Sequence, residues 1–465
     1  MTPTARRIGR LPLASFLAAS VVGTALAGDD HGWSTTLGAV SGPGPTGTVA
    51  ILSEGAVALE GDAATRRFPM LTRPTGTGVG TSVRLSGEAR LLRGRLDAGQ
   101  RDNSYVALRY GEVTERADVR REDWEPFRVV ATPTEAPALV WIFLSHTGRL
   151  EVRDLRIDPL GPADAFPAMI DHLARTYSFL DAKKVDLAAM ATAGKEAFPK
   201  DGDPAKFLEA AKKFLSALKD EHVWLQLPGG PIVPTHVSDA PLNADFRTVA
   251  KRVTDLVACG SAGFAGRLGD DVGYVAFASL AAPAADAERL ERAFVALLDR
   301  KGLLLDLRAN SGGDERQARA LLARLTDKPI VYARRQVRNG PRPTDFTLPM
   351  DAVLAPGPGP VFAGPVVVLI GPRCVSSGEG MAQMLAALPR ATLLGLPTRG
   401  ASGSPKALRL PNGVTLWSST WVDLLPDGSS LEGHGVPPGV RFEPTGPGDP
   451  TLEAGLRLLR EQLAK

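Results

Sequence analysis

Ser376 follows a run of apolar β-formers, Pro365-Val-Val-Val-Leu-Ile370, and a turn, Gly371-Pro-Arg-Cys-Val375. A stretch with helical spacing comes next, Ser377-Gly-Glu-Gly-Met-Ala-Gln-Met-Leu-Ala-Ala-Leu388. A serine at a strand-to-helix turn exposes its hydroxyl and faces the free N–H groups of the helix start, which suits nucleophilic attack on a carbonyl. Read locally, the same serine is an N-cap, a role that serine favours. A second segment of this kind is Asp306-Leu-Arg-Ala-Asn-Ser-Gly-Gly313, where an apolar strand runs into paired glycines before a helix. Paired glycines let backbone N–H groups approach a ligand with no Cβ in the way, as an oxyanion hole or a phosphate cradle does. The spacing is not that of a P-loop, and no lysine follows. A tight turn closed by glycine is the plain alternative.

The elements that must position these residues alternate from about residue 270 onward. Val272–Phe277, Gly302–Leu307, Val366–Ile370 and Thr392–Gly395 read as strands; Ala285–Arg300, Glu315–Leu325, Ser377–Leu388 and Thr451–Leu463 read as helices. Such alternation predicts an α/β layer structure. Residues 353–364, with four Pro-Gly or Gly-Pro steps, read as a loop. Upstream, 166–219 reads as three helices, the clearest being 204–219 with Phe207, Leu208, Ala211, Phe214, Leu215 and Leu218 on one face. From about Val49 to Pro159 short alternating runs separated by polar turns predict an all-β sandwich, jelly-roll-like. Its expected core includes Val106, Leu108, Trp124, Phe127, Val129, Trp141 and Phe143. Trp124 and Trp141 have a second reading, as platforms that stack on a sugar. The expected organisation is therefore a signal peptide at 1–27, a linker at 28–48, a β-sandwich at 49–160, a helical segment at 161–230 and an α/β core at 231–465.

The 465-residue chain is long enough for two or three domains. Arg6, Arg7 and Arg10 precede an apolar stretch from Leu11 to Ala27 that ends in the small-x-small pattern Ala25-Leu26-Ala27. This predicts an export signal cleaved before Gly28, hence a secreted or periplasmic protein with no membrane span after cleavage. The 54 Lys and Arg residues exceed the 51 Asp and Glu by three, and those three arginines all lie in the leader. The remainder is neutral, so nucleic-acid binding has no compositional support. Cys259 and Cys374 form no disulfide framework and read as buried thiols, although spacing leaves a bridge between them open. The six histidines show no ligand spacing, so no metal and no cofactor is expected.

Together, Asp306–Gly313 and Ser376-Ser-Gly-Glu379 resemble the tail-specific (C-terminal-processing) serine peptidase family, and Arg390-Ala-Thr-Leu-Leu-Gly395 with Pro397-Thr-Arg-Gly400 fits it too. The resemblance covers about 166–445 and implies a crotonase-like α/β core. It implies that Ser376 is the nucleophile, that the amides of Ser377 and of Gly312 or Gly313 stabilise the oxyanion, and that peptides or proteins are the substrate. Such a donor is worth roughly 10²–10³ in rate.

The sequence departs from the processing-protease branch where that branch keeps its lysine base: Gly395-Leu-Pro-Thr-Arg-Gly-Ala-Ser402 has Ala401 there. The chain is similar instead to the branch of tricorn protease and interphotoreceptor retinoid-binding protein, in which a histidine follows the helical segment. Leu218-Lys-Asp-Glu-His222 supplies it, with His236 and His434 as competitors. A neutral imidazole can take the serine proton and return it to the leaving group. Glu432, in Leu431-Glu-Gly-His-Gly-Val-Pro-Pro-Gly439, matches the branch's glutamate, while Gly439 replaces an aspartate and Glu221 replaces a serine. Glu432, Glu221 and Asp220 are therefore all candidates to orient His222. Glu379 is expected to support the helix start. Only some 50 residues separate His222 from Val272, too few for an inserted PDZ domain, which leaves substrate capture, or contact with carbohydrate or the cell envelope, to the β-domain. The expected function is that of an exported serine endopeptidase; a non-catalytic protein on the same fold, binding an apolar ligand or a glycan, is the alternative.

Overall fold

The computed structural model describes residues 34–38, 48–53, 56–61, 68–93, 104–144, 148–338, 340 and 342–465; the segment expected to be an export signal, 1–27, lies outside them. The chain divides into two compact units between Gly161 and Pro162.

The first unit holds ten strands: β1 (Ser34–Gly38), β2 (Thr48–Ser53), β3 (Ala56–Gly61), β4 (Phe68–Pro74), β5 (Ser82–Arg93), β6 (Tyr105–Tyr110), β7 (Val113–Asp118), β8 (Glu125–Ala131), β9 (Leu139–Phe143) and β10 (Gly148–Leu160). They form two antiparallel sheets, β1-β4-β9-β6-β7 and β2-β3-β10-β5-β8. Strand β1 falls within the stretch expected to be a linker. One apolar cluster draws alternate residues from both sheets, among them Val57, Leu85, Leu91, Val106, Val140 and Leu150. Val106, Leu108, Phe127 and Val129 are buried there as expected. Trp124, Trp141 and Phe143 are not in that core. Val140 and Ile142 point inward, so the period-2 pleat turns Trp141 and Phe143 to the other face. There the Arg109 guanidinium lies 3.9 Å from the Trp141 ring centre, while Arg90 and Arg153 lie 4.7 and 4.1 Å from that of Trp124. These indoles are engaged by cation–π contacts and are not packed in the core.

The second unit begins with three helices, α1 (Ala165–Thr176), α2 (Leu187–Gly194) and α3 (Pro204–Leu215), as the periodicity predicts. Pro204 sits in the first turn of α3 and Asp203 caps it by accepting the Lys206 N–H, while Phe207, Leu208, Ala211 and Leu215 face inward. Then follow β11 (Trp224–Gln226), β12 (Ile232–Pro234), α4 (Phe246–Arg252), β13 (Thr254–Ala258), β14 (Gly263–Arg267), β15 (Val272–Phe277), α5 (Ala284–Val295), β16 (Gly302–Asp306), α6 (Glu315–Leu322), β17 (Ile330–Val337), β18 (Met350–Leu354), β19 (Val366–Ile370), α7 (Ser377–Ala386), β20 (Ala391–Gly395), β21 (Lys406–Arg409), β22 (Thr415–Ser418), β23 (Trp421–Leu424), β24 (Val440–Arg441) and α8 (Pro450–Leu463). The segment expected as a loop at 353–364 thus starts inside β18.

The main sheet runs β13-β14-β15-β16-β19-β20-β24, parallel from β15 onward and antiparallel at the β13–β14 edge. Two clusters cover its faces. Leu305, Val368 and Ile370 pack with Phe294 of α5, Leu322 of α6 and Met381 of α7; Leu304, Val367 and Leu369 pack with Val249 of α4 and Leu452 and Leu459 of α8. Burial on both faces is why β16 and β19 read as unbroken apolar runs. Two smaller sheets, β12-β11-β22-β21 and β18-β17-β23, complete the unit; apart from β11 and β12 their strands are inserted in sequence between strands of the main sheet.

At the end of β16 lies Arg308, with no exposed side-chain surface. Nη2 and Nε donate to Asp306 at 2.6 and 3.0 Å, and Nη1 donates to Asp449 Oδ1 at 2.7 Å and to the Asn243 carbonyl at 2.8 Å. Burial works against the charged guanidinium, yet the two aspartates hold its pKa above the ordinary value. Asp449 also caps α8 through the Leu452 N–H at 2.9 Å and accepts the Asp245 N–H at 3.0 Å. One cation thereby joins the β16 loop, the start of α4 and the start of α8. Breaking such a pair strands buried carboxylates, so Arg308→Met is expected to lower unfolding free energy by about 3–5 kcal/mol, read from urea unfolding.

Candidate active site

Ser376 caps α7 with φ +58° and ψ −128°, a conformation that costs a non-glycine residue about 1–3 kcal/mol and persists only where neighbours enforce it. Five hydrogen bonds do so here. The Ser376 N–H donates to Ala401 O at 3.0 Å and to Glu379 Oε2 at 3.3 Å. The Val375 N–H donates to Asn310 O at 3.0 Å, the Arg399 N–H to Cys374 O at 2.9 Å, and the Cys374 N–H to Gly371 O at 3.0 Å. Ser376 and Glu379 have the spacing of a capping box, but the hydroxyl is directed elsewhere: Ser376 Oγ lies 2.9 Å from His222 Nε2.

Glu379, fully buried in α7, accepts from Thr398 Oγ1 at 2.6 Å and from the N–H groups of Gly400 and Ala401 at 2.7 and 2.9 Å. Burial pushes its pKa up to about 8 against the pull of these donors. It fastens the start of α7 to the turn after β20.

His222 is buried and follows a left-handed residue, Lys219 at φ +47°, just before β11. Its backbone N–H donates to Asp220 Oδ1 at 2.7 Å, and Asp220 Oδ2 accepts from Ser419 Oγ at 2.9 Å. The ring Nδ1 has no hydrogen-bond partner among the described residues. Burial lowers the His222 pKa below 6.5, opposed by Asp220 and Glu221, with Lys183 adding to the lowering and Asp423 opposing it. The imidazole is therefore neutral near pH 7.

The other candidate carboxylates make different contacts. Glu432 pairs with Lys183 Nζ at 2.8 Å and accepts the Ser402 N–H at 3.1 Å; no hydrogen bond joins it to His222 among the described residues. Burial first, then the Asp220 carboxylate, hold Glu432 above the usual carboxylate range against the pull of Lys183. Glu221 is engaged by Arg399. His434 is exposed, its Nδ1 near the carbonyls of Ser430 and Glu432, and His236 makes no hydrogen bond to Ser376 among the described residues.

The glycine pair is split in role. The Gly312 N–H donates to Asn310 Oδ1 at 2.9 Å, so this amide, expected at the oxyanion, is occupied by the side chain two residues before it. Gly313 N–H and Ser377 N–H make no hydrogen bond among the described residues. Ser377 is the first residue of α7, where helix geometry leaves N–H groups free. Gly312, at φ +79°, packs so closely that a Cβ would lie 2.8 Å from Ser376 Cβ and 3.1 Å from Ser377 N. A side chain there would cover the Ser377 amide. Asn310, Arg399 and Lys183 are structural partners of the site for which residue type alone had assigned no role.

Cys374 and Cys259 are free, buried thiols. Burial raises the Cys374 pKa well above its ordinary value, which leaves it a poor nucleophile. Among the described residues no group of three or more His, Cys, Asp or Glu side chains could hold a metal ion, and no helix is long and apolar enough to cross a membrane.

A mainly parallel sheet that presents a strained serine to a neutral imidazole, beside two free amides, is the arrangement of a serine-type acyl-transfer protein. The model of Peptidase family S41 matches residues 271–442. Among solved structures, a candidate peptidase of Parabacteroides merdae is 24% identical, with 64% of this chain and 97% of that chain covered and a TM-score of 0.56. The photosystem II D1 C-terminal processing protease is 16% identical, with 64% of this chain and 97% of that one covered and a TM-score of 0.41. Tricorn protease is 11% identical, with 89% of this chain and 54% of that one covered and a TM-score of 0.42. No curated protein matches. Residues 271–442 thus carry the likeness to peptidase family S41, a family of serine-type peptidases.

Gly428, at φ +85°, has nothing within 4 Å of an added Cβ, whereas Gly312 does. Gly428→Ala is expected to cost about 1 kcal/mol from backbone strain alone. Gly312→Ala should cost about 1–3 kcal/mol more, the difference reporting the close approach to Ser376; urea unfolding of the two variants measures it.

Proposed function

We propose that this chain is an exported serine endopeptidase in which Ser376 is the nucleophile and His222 the general base. The observation that carries the reading is the 2.9 Å approach of Ser376 Oγ to His222 Nε2, made by residues 154 positions apart. Ser376 Oγ attacks the carbonyl carbon of a peptide bond as its proton passes to Nε2. The carbonyl oxygen becomes an oxyanion that accepts the N–H groups of Gly313 and Ser377. The imidazolium then gives its proton to the leaving amine, and water attacks the acyl-enzyme with His222 again as base. Asp220, bonded to the His222 backbone, is the carboxylate that most favours the imidazolium, while Glu432 is paired with Lys183. The leader at 1–27 supports export to a secreted or periplasmic setting, and the N-terminal sheets are read as a jelly-roll-like accessory domain on a crotonase-like core.

A fluorophosphonate probe and a peptide pool test this. The wild-type chain should be labelled at Ser376 and cleave peptides; Ser376→Ala should lose both, and His222→Gln should lower the rate by about 10³-fold or more. Unchanged cleavage by Ser376→Ala would sink the reading. The base must be neutral to act, and its pKa lies below 6.5. Labelling should therefore be level above pH 6.5 and fall as the pH drops through the lowered pKa; a limb rising only well above neutrality would point to a different base.

A further inference from the structure

One ion pair beside Ser376 has no part in the chemistry described so far. Arg399 lies in the turn after β20. Its Nη1 donates to Glu221 Oε1 and Oε2 at 2.5 and 2.7 Å, and its Nε donates to the Pro372 carbonyl at 2.6 Å. Its backbone N–H donates to the Cys374 carbonyl at 2.9 Å. Glu221 immediately precedes His222, and Pro372 and Cys374 belong to the turn that delivers Ser376. One residue therefore touches both segments of chain that bring base and nucleophile together.

The restraints on His222 make this contact matter. The ring Nδ1 is unpartnered among the described residues, and the Asp220 bond holds only the backbone. The position of Nε2 over Ser376 Oγ thus depends on where segment 220–222 lies relative to segment 371–376. The Arg399–Glu221 pair spans that gap, with side chains only 13% and 23% exposed. A charge-assisted bond shielded in this way keeps its geometry better than a solvated surface pair. The guanidinium is needed as a fork, because Nη1 and Nε reach different segments at once; an ammonium on a flexible stem has no such fixed geometry.

We propose that Arg399 is a positioning residue for acyl transfer, acting through Glu221 to hold His222 Nε2 within hydrogen-bond reach of Ser376 Oγ. The role rests on the Ser376–His222 reading above. A displacement of about 1 Å at a reacting group can lower rate by about 10²-fold without weakening substrate binding.

The test uses the full chain and reads fluorophosphonate labelling together with kcat and KM on a cleaved peptide. Arg399→Gln and Glu221→Gln are each expected to lower labelling rate and kcat about 10- to 100-fold while KM stays within about threefold. The double variant should be no slower than the slower single, since the two act as one unit. Arg399→Lys, which keeps the charge, should fall between wild type and Arg399→Gln and supplies the folded variant if Arg399→Gln does not fold. The proposal is overturned if folded variants keep labelling and kcat within about twofold, if the two losses are additive, or if only KM moves. A wild-type chain that the probe does not label at Ser376 removes the underlying reading and this one with it. A labelled wild type with equally labelled variants removes only the role of Arg399.

Discussion

A guanidinium sealed from water is the constraint on which the second unit is built. Arg308 leaves β16 and meets Asp306 behind it, Asp449 from the last helix and the Asn243 carbonyl from the chain before α4. A buried cation must be answered by fixed acceptors, or the fold does not tolerate it. Those acceptors come from segments far apart in sequence, so satisfying one charge locks the course of the loop that follows. That loop reaches the start of α7 in one position, with Asn310 and the glycine pair against Ser376.

The second tier of order is made from hydrogen bonds to main chain. Asn310 accepts the Gly312 N–H through its side chain and the Val375 N–H through its carbonyl, and Glu379 gathers donors from the turn after β20. The surroundings over-determine the unusual backbone of Ser376, and the strain is held where the hydroxyl must stand free. A second buried polar group works similarly further out. Glu315 on α6 meets the Tyr332 hydroxyl and Arg335 of β17, and Arg335 reaches Asp423 of β23 at 2.6 Å. Charges placed between layers thus specify which element lies against which, while the apolar faces supply the bulk of the burial.

The legible parts of the sequence were those where local rules act alone. The apolar runs at β16 and β19, the caps and faces of α3 and the strand–turn–serine junction all follow from periodicity and turn chemistry. Contacts across the fold were not legible. That Gly312 would give its amide to Asn310 and leave Gly313 as donor depends on a side-chain rotamer, which no spacing reveals. The partner of Glu432 is Lys183, from a turn between helices with no periodic signal. Trp124 and Trp141 have the composition of core residues, yet pleat parity and nearby arginines place them outside it. Strands β17 and β18 escaped notice because their residues mix charge and apolar character, as strands of a small half-exposed sheet do.

The 154-residue separation of His222 and Ser376 also governs when the site comes into being. His222 belongs to the early part of the second unit, Ser376 follows β19, and Asp449, the acceptor that completes the Arg308 cluster, lies 141 residues after Arg308. Contacts of such long range are closed late and slowly in folding. The Ser376–His222 approach is such a contact, so it forms only once the segments carrying both residues have been brought together.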